Sequence, residues 1–245
     1  MTQPPATLLK VQNLGKRFGG FAAVSDLSFE LETGRIMGLV GPNGAGKTTT
    51  FNLISGFLKP TSGTVEFQRR DITQLSPDEI SRQGLVRTFQ LNKLFSNLTV
   101  EENIRIVLEP LGLSKSEITN RIEGLLADMK IQALAANKAH TLSGGERRRV
   151  EIMRALATRP RFILLDEPFA GIDPLSVADL QQIIHDLKDK GLGVLISDHN
   201  VRETLSVCDY AYIINHGKIL TSGNAEQITG NKEARKMYLG EDFTM

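Results

Sequence analysis

Ile36-Met37-Gly38-Leu39-Val40 runs straight into Gly41-Pro42-Asn43-Gly44-Ala45-Gly46-Lys47-Thr48, and no other feature of the 245 residues constrains the chain as strongly. The octet matches G-x-x-x-x-G-K-[ST] in full, with an apolar strand before it and a helical stretch, Thr48 to Gly56, after it. Its glycines let successive backbone N–H groups turn inward around phosphate oxygens, at the positive end of the following helix. In such a loop Lys47 reaches the β and γ phosphates and the Thr48 hydroxyl holds Mg²⁺, with Thr49 completing the expected phosphate-binding set. A short continuous apolar run that ends in glycine predicts a central parallel strand covered on both faces. The fold class is therefore expected to be α/β.

A second signal lies at Phe162-Ile163-Leu164-Leu165-Asp166-Glu167-Pro168, where an apolar run ends in two acids. A central strand of that kind delivers Asp166 to its carboxyl end, where open α/β sheets bind ligands. A carboxylate there can share the Mg²⁺ coordinated by Thr48, usually through water. Glu167 points elsewhere, in reach of the water that would attack a γ phosphate. By itself the run is also compatible with a strand that ends in solvated acids, and the phosphate loop is what favours the metal reading.

Leu142-Ser143-Gly144-Gly145-Glu146 opens another helix, predicted from Glu146 to about Thr158 with Val150, Met153 and Ala157 inward. Ser143 and Glu146 have the spacing of a capping box. The glycines at 144 and 145 strip side chains from the N–H groups that attract anions, which a cap alone does not require. One chain thus offers two helix starts suited to phosphate, and one nucleotide needs only one. The economical solution is a head-to-tail dimer, with each ATP held between Gly41–Thr48 of one copy and Ser143–Gly145 of the other.

Around these motifs the chain reads as mixed. Leu8 to Leu14 and Val24 to Leu31 alternate as half-buried antiparallel strands do. Phe162 to Asp166 and Gly193 to Ser197 are core strands joined by a helix carrying Val177, Leu180, Ile184 and Leu187, which implies a right-handed parallel unit. From Asn92 to Ala139 the chain is richer in helix formers, with a cap at Ser114-Lys115-Ser116-Glu117. A formal net charge of +1 gives no global field toward nucleic acid, and aromatics at 6% leave few stacking platforms for bases. Arg147-Arg148-Arg149 is expected on a solvated or subunit-facing surface. The lone cysteine, Cys208, excludes an intrachain disulfide and is expected to be packing. Neither a signal peptide nor a membrane-spanning run is apparent, so a cytoplasmic location is expected, with any membrane role needing a partner.

In their order along the chain these motifs resemble the ATP-binding cassette of ABC transporters, over nearly the whole length. The resemblance implies a P-loop NTPase (RecA-like) core with a parallel sheet, an N-terminal antiparallel β subdomain and an inserted helical subdomain. Residues 1–91 and 150–245 would form the core, and 92–149 the helical subdomain ending in the Leu142–Glu146 motif. It implies ATP and Mg²⁺ as ligands and ATP hydrolysis as the activity. Phe18 resembles the aromatic that stacks on adenine. Gln90, in Arg87-Thr88-Phe89-Gln90, resembles the glutamine that touches Mg²⁺ and links to the transmembrane subunits. Asp173, in Ala170-Gly171-Ile172-Asp173, resembles the loop residue that signals between the two nucleotide sites, and His199 the switch histidine at the γ phosphate. Implied partners are integral membrane permease subunits and a second copy of the chain or a homologous ATPase subunit, at the cytoplasmic face of the inner membrane. Nucleic acid is not implied. Glu146 stands where many members have glutamine.

Within the family two groups share the likeness. The first part, with Phe18-Gly19-Gly20-Phe21 and Arg87-Thr88-Phe89-Gln90, resembles the branched-chain amino acid uptake ATPases. The part from Leu142 onward, Asp198–Leu205 and the ending Tyr238–Phe243 resemble the lipopolysaccharide export ATPases, and the compact helical insertion leans the same way. Soluble relatives in DNA repair or translation carry two cassettes or a long coiled coil, neither present here. A P-loop kinase would not need the second glycine-rich helix start, a GTPase would carry Asn-Lys-x-Asp, and intact Asp166, Glu167 and His199 leave little room for a mere nucleotide sensor.

Overall fold

The computed structural model describes residues 7–88 and 94–240. In chain order, β1 (Thr7–Phe18) and β2 (Phe21–Glu32) form a hairpin, followed by β3 (Ile36–Val40) and α1 (Lys47–Ile54). Next come β4 (Ser62–Phe67), β5 (Arg70–Asp71), α2 (Pro77–Arg82) and β6 (Leu85–Arg87). Three longer helices follow: α3 (Val100–Leu108), α4 (Lys115–Asp128) and α5 (Gly144–Leu156). The remainder is β7 (Phe162–Asp166), α6 (Pro174–Asp189), β8 (Gly193–Asp198), α7 (Val201–Leu205), β9 (Tyr210–Asn215), β10 (Lys218–Gly223), α8 (Ala225–Gly230) and α9 (Lys232–Ala234), which runs into a π-helical turn, Arg235–Leu239.

Two sheets result. The first is antiparallel, in the order β2-β1-β4-β5, and it carries the alternation read from the sequence. In β2, Leu27, Phe29 and Leu31 are buried while Asp26, Ser28 and Glu30 are exposed. The second sheet runs β10-β9-β3-β8-β7-β6 and is parallel except for β10. Every residue of β3, β7 and β8 is buried, which is what unbroken apolar runs provide. Each such Val, Ile or Leu contributes about 1.5–3 kcal/mol by leaving water, so the sheet centre is the stable frame on which the site rests.

Register decides where the polar ends fall. Val40 lies beside Asp198, and Asp166 beside Ser197. The end of β3, from which the Gly41–Thr48 loop departs, and the acids ending β7 and β8 therefore share one edge of the sheet.

Between β6 and β7, α3, α4 and α5 bury Ile104, Leu108, Ile118, Ile122, Leu126, Val150 and Met153 in one apolar cluster with Ile163 and Leu165 of β7. The helices are rooted in the sheet face, not merely tethered to it. Thr99 and Ser114 close full capping boxes on α3 and α4, in keeping with the cap expected at Ser114. α5 starts at Gly144, two residues before the expected Glu146, because Ser143 itself is the N-cap.

The arginine run departs from expectation. Arg149 pairs with Asp179 on the surface, but Arg148 is only 8% exposed. Position 148 falls on the inward stripe of α5, between Val150 and Gly145 in the buried set. Cys208 packs against the core, and burial pushes its thiol well above the ordinary range, so it behaves as a small apolar side chain. Among the described residues no helix is long and apolar enough to cross a membrane.

Candidate active site

The phosphate loop is clamped between both sheets. Gly46, the N-cap of α1, has φ +108°, and a β-carbon there would lie 2.6 Å from the carbonyl oxygen of Ala23 in β2. Only glycine meets both demands. The Gly217 N–H donates to the carbonyl of Ala45, and Ser25 N–H to that of Gly217, so the β9–β10 turn and β2 grip the loop from outside.

Inside the loop, the buried Lys47 ammonium donates to the carbonyls of Gly41 at 2.5 Å and Pro42 at 3.0 Å. Burial pulls its pKa below the usual lysine value, while Glu167, Asp198 and Asp166 oppose that shift. Among the described residues no backbone group accepts the N–H of Gly44, Gly46, Lys47 or Thr48. Orphan donors at a helix start, joined by a buried cation, fit a phosphate chain. The Thr48 side chain is exposed and Thr49 half-buried, with Pro42 and Gly46 partly covered, Asn43 and Gly44 exposed and Ala45 buried.

Across the sheet edge, Asp166 is 1% exposed and both its oxygens are engaged. Ser197 Oγ donates to Oδ1 at 2.6 Å, and Arg87 Nη2 to Oδ2 at 2.7 Å. No group of three or more His, Cys, Asp or Glu side chains among the described residues is arranged to hold a metal by itself. Magnesium beside nucleotides usually takes one or two carboxylates and completes its shell with phosphate oxygens and water, a pattern with which a single carboxylate at Asp166 is compatible.

Glu167 leaves β7 with φ +46°, an uncommon and costly conformation for a glutamate. Its N–H is fixed to the Ser197 carbonyl at 2.7 Å, and its carboxylate lies 3.7 Å from His199 Nδ1. The turn redirects Glu167 away from the direction of Asp166. His199 itself is half exposed; its N–H donates to Asp198 Oδ1, and its carbonyl accepts from the Tyr238 hydroxyl at 2.9 Å. Asp198 is buried, which raises its pKa against the opposing N–H bonds from Asn200, Phe169 and His199.

The sequence reading missed four of these groups: Arg87, Arg148, Asp198 and Tyr238. Arg148 ties Nη2 to the Asp166 carbonyl, Nε to that of Pro168, and Nη1 to Glu151. The available signal for Arg148 was its three-residue spacing to Glu151, which puts two opposite charges side by side on a helix whose neighbours are apolar. Nothing local in the sequence marks Tyr238 or the orientation of Arg87.

The second helix start opens α5, which is tied to the Asp166 carbonyl through Arg148. Ser143 Oγ accepts from Glu146 N–H, and Glu146 returns the bond to Ser143 N–H, so the glutamate completes the cap. A β-carbon on Gly145 would meet Ser176 Oγ at 2.3 Å, which gives that glycine a packing reason besides any anion. Gly144 faces the Gly171 carbonyl and Ile172. Asp173 caps α6 through Ser176, and those hydrogen bonds hold its carboxyl below the usual range. Ser143–Gly145 and Asp173 thus form one surface, carried by abutting helix starts. Phe18 is 49% exposed at the β1–β2 turn, under the Lys16 ammonium. Gln90 lies outside the described residues.

Residues 24–170 match the family described as ABC transporter, across the phosphate loop, the Ser143 helix start and the β7 acids. The chain belongs to the ABC transporter family. A relative from Acidithiobacillus ferridurans, a lipopolysaccharide export system ATP-binding protein LptB, is 50% identical over 96% of this chain and 98% of its own length. The ADP conformation of MJ1267, an ATP-binding cassette of an ABC transporter, superposes with a TM-score of 0.87 at 34% identity, covering 96% of this chain and all of the other. MJ0796, an ATP-binding cassette solved as a post-hydrolysis dimer with ADP and Pi, has a TM-score of 0.79 at 26% identity over 89% and 98% of the two chains. As an ABC transporter ATPase, the chain binds nucleotide and hydrolyses ATP.

Proposed function

We propose that this ATPase powers lipopolysaccharide export through separate integral membrane permease subunits, working as a dimer at the cytoplasmic face of the inner membrane. The export reading rests on 50% identity with the Acidithiobacillus ferridurans protein over nearly full length. The chemical reading rests chiefly on one observation: the loop that follows β3 and carries the buried Lys47 opens at the same sheet edge where β7 delivers Asp166 and β8 delivers Asp198.

In this reading residues 41–49 cradle the phosphates and Phe18 stacks on adenine. Lys47 exchanges its internal carbonyls for β and γ phosphate oxygens. Thr48, Asp166 and Gln90 hold magnesium, which when bound screens the phosphate charge. Glu167 orients and deprotonates the attacking water. His199 bears on the γ phosphate, held from behind by Asp198 and Tyr238. Ser143–Gly145 of a second copy closes over the same γ phosphate, and Asp173 links the two sites. Residues 92–149 act as a helical subdomain that, with the segment around Gln90, passes closure to the permease. The second copy is the same chain or a homologous ATPase subunit.

Two measurements test this. Lys47→Ala is expected to abolish binding of a fluorescent ATP analogue, and unchanged affinity contradicts the loop assignment. Capture of the chain from detergent-solubilised membranes should recover permease subunits that, in vesicles, extract lipopolysaccharide when ATP is added. Recovery of an amino acid permease instead contradicts the export reading.

A further inference from the structure

Arg87 occupies an unusual position. Its guanidinium is 5% exposed and bonds Asp166 Oδ2 with one nitrogen, while the other reaches Asn52 Oδ1 at 2.6 Å and Ser55 Oγ at 3.3 Å on α1. It lies over the Phe51 ring, 5.6 Å from the centroid. The residue therefore spans from the helix that follows the phosphate loop to the carboxylate that ends β7. Arg87 also lines a groove of about 270 Å³ with Phe57, Val86, Val107 and Arg154, on the side of the sheet toward α3 and α5.

A buried carboxylate with a full positive charge already against one oxygen has had its charge largely neutralised. A second cation brought to the same carboxylate is repelled by the first, in surroundings that screen poorly. We propose that Arg87 is a positioning residue that serves as the resident counter-cation of Asp166 and competes with the divalent cation for it. Metal affinity is thereby set partly by Arg87, and any shift of Arg87 as the metal binds is felt directly in the groove it lines. The inference rests on the reading of Asp166 as a metal-holding group.

The test is a titration of free Mn²⁺ by electron paramagnetic resonance with ADP and a molar excess of purified chain, so that little nucleotide is left in solution to bind the metal; it needs no turnover. Arg87→Met removes the charge and keeps apolar volume over Phe51. Arg87→Gln keeps a donor toward Asp166 and serves if the methionine variant does not fold. Both are expected to bind Mn²⁺ about fivefold tighter or more, from the loss of one unit charge near the metal, whereas Arg87→Lys stays near the parent. Unchanged or weaker Mn²⁺ binding in the neutral variants overturns the proposal, because a merely structural role loosens the site. Asp166→Asn in the same titration separates the two claims. If it loses Mn²⁺ while Arg87→Gln is unchanged, only the Arg87 inference fails. If Asp166→Asn binds Mn²⁺ as the parent does, the metal assignment of Asp166 fails first.

Discussion

At the scale of single residues, the site depends on where β7 releases its two acids. Asp166 keeps the strand's geometry and is locked by Ser197 and Arg87, while Glu167 turns out of it at positive φ. That turn sends two carboxylates one position apart in different directions, as the proposed metal and water roles require. Glu167→Gln should preserve binding of a fluorescent ATP analogue and lower phosphate release by about a hundredfold or more; release at the parental rate would remove Glu167 from that role. Arg148 is a second fixed point. Its removal takes one charged partner from the buried Glu151 and uncouples α5 from the Asp166 and Pro168 carbonyls, so Arg148→Ala should cost about 3–5 kcal/mol in urea unfolding. A loss below 1 kcal/mol would mean that the buried network is not stabilising. The loop, Asp166 and Glu167 stood out in the sequence because a glycine pattern and an apolar run ending in two acids mark them, whereas His199 was singled out only by resemblance to the family. Arg148 was not, since a run of three arginines looks solvated until one knows which face of α5 meets β7.

At the scale of elements, helix starts do most of the positioning. α5 and α6 abut through Gly145 and Ser176, so their N-termini present Ser143, Gly144 and Asp173 together. Gly145→Ala should destabilise the fold by about 1–3 kcal/mol through overpacking, and a second change, Ser176→Gly, should restore it. If Gly145→Ala melts with the parent, the close contact is not what fixes the pair. Acid should loosen the caps selectively. Serine or threonine hydrogen bonds hold Glu79, Glu102 and Glu117 below their usual pKa. A depressed folded value means that the cap contribution is present above the unfolded pKa and is lost as pH falls through the folded one. Protection factors for amide exchange, taken against the intrinsic rate at each pH, should therefore fall at the starts of α2, α3 and α4 below the ordinary glutamate range and hold steady above it. Boundaries of these helices were read less well than their existence: α5 begins two residues early because capping, not apolar periodicity, sets the start.

At the scale of the molecule, the two sheets and the helices between β6 and β7 form a frame that holds half of two chemistries. One edge carries the phosphate loop with Asp166, Glu167 and His199, and a separate surface carries Ser143–Gly145 with Asp173. Unbroken apolar runs marked β3, β7 and β8 as core strands and alternation marked β1 and β2, but β9 and the order β9-β3-β8-β7 were not read from the sequence. What the sequence did not reveal is how far the glycine pair also serves packing within one chain. In the proposed pairing of two copies around nucleotide, the phosphate loop of one meets the Ser143 helix start of the other. Sedimentation velocity of the Glu167→Gln variant with Mg²⁺ and ATP tests it most directly. A species of twice the monomer mass with ATP, reverting to monomer with ADP, is the expected result. A monomer at saturating ATP would contradict a nucleotide shared between two chains.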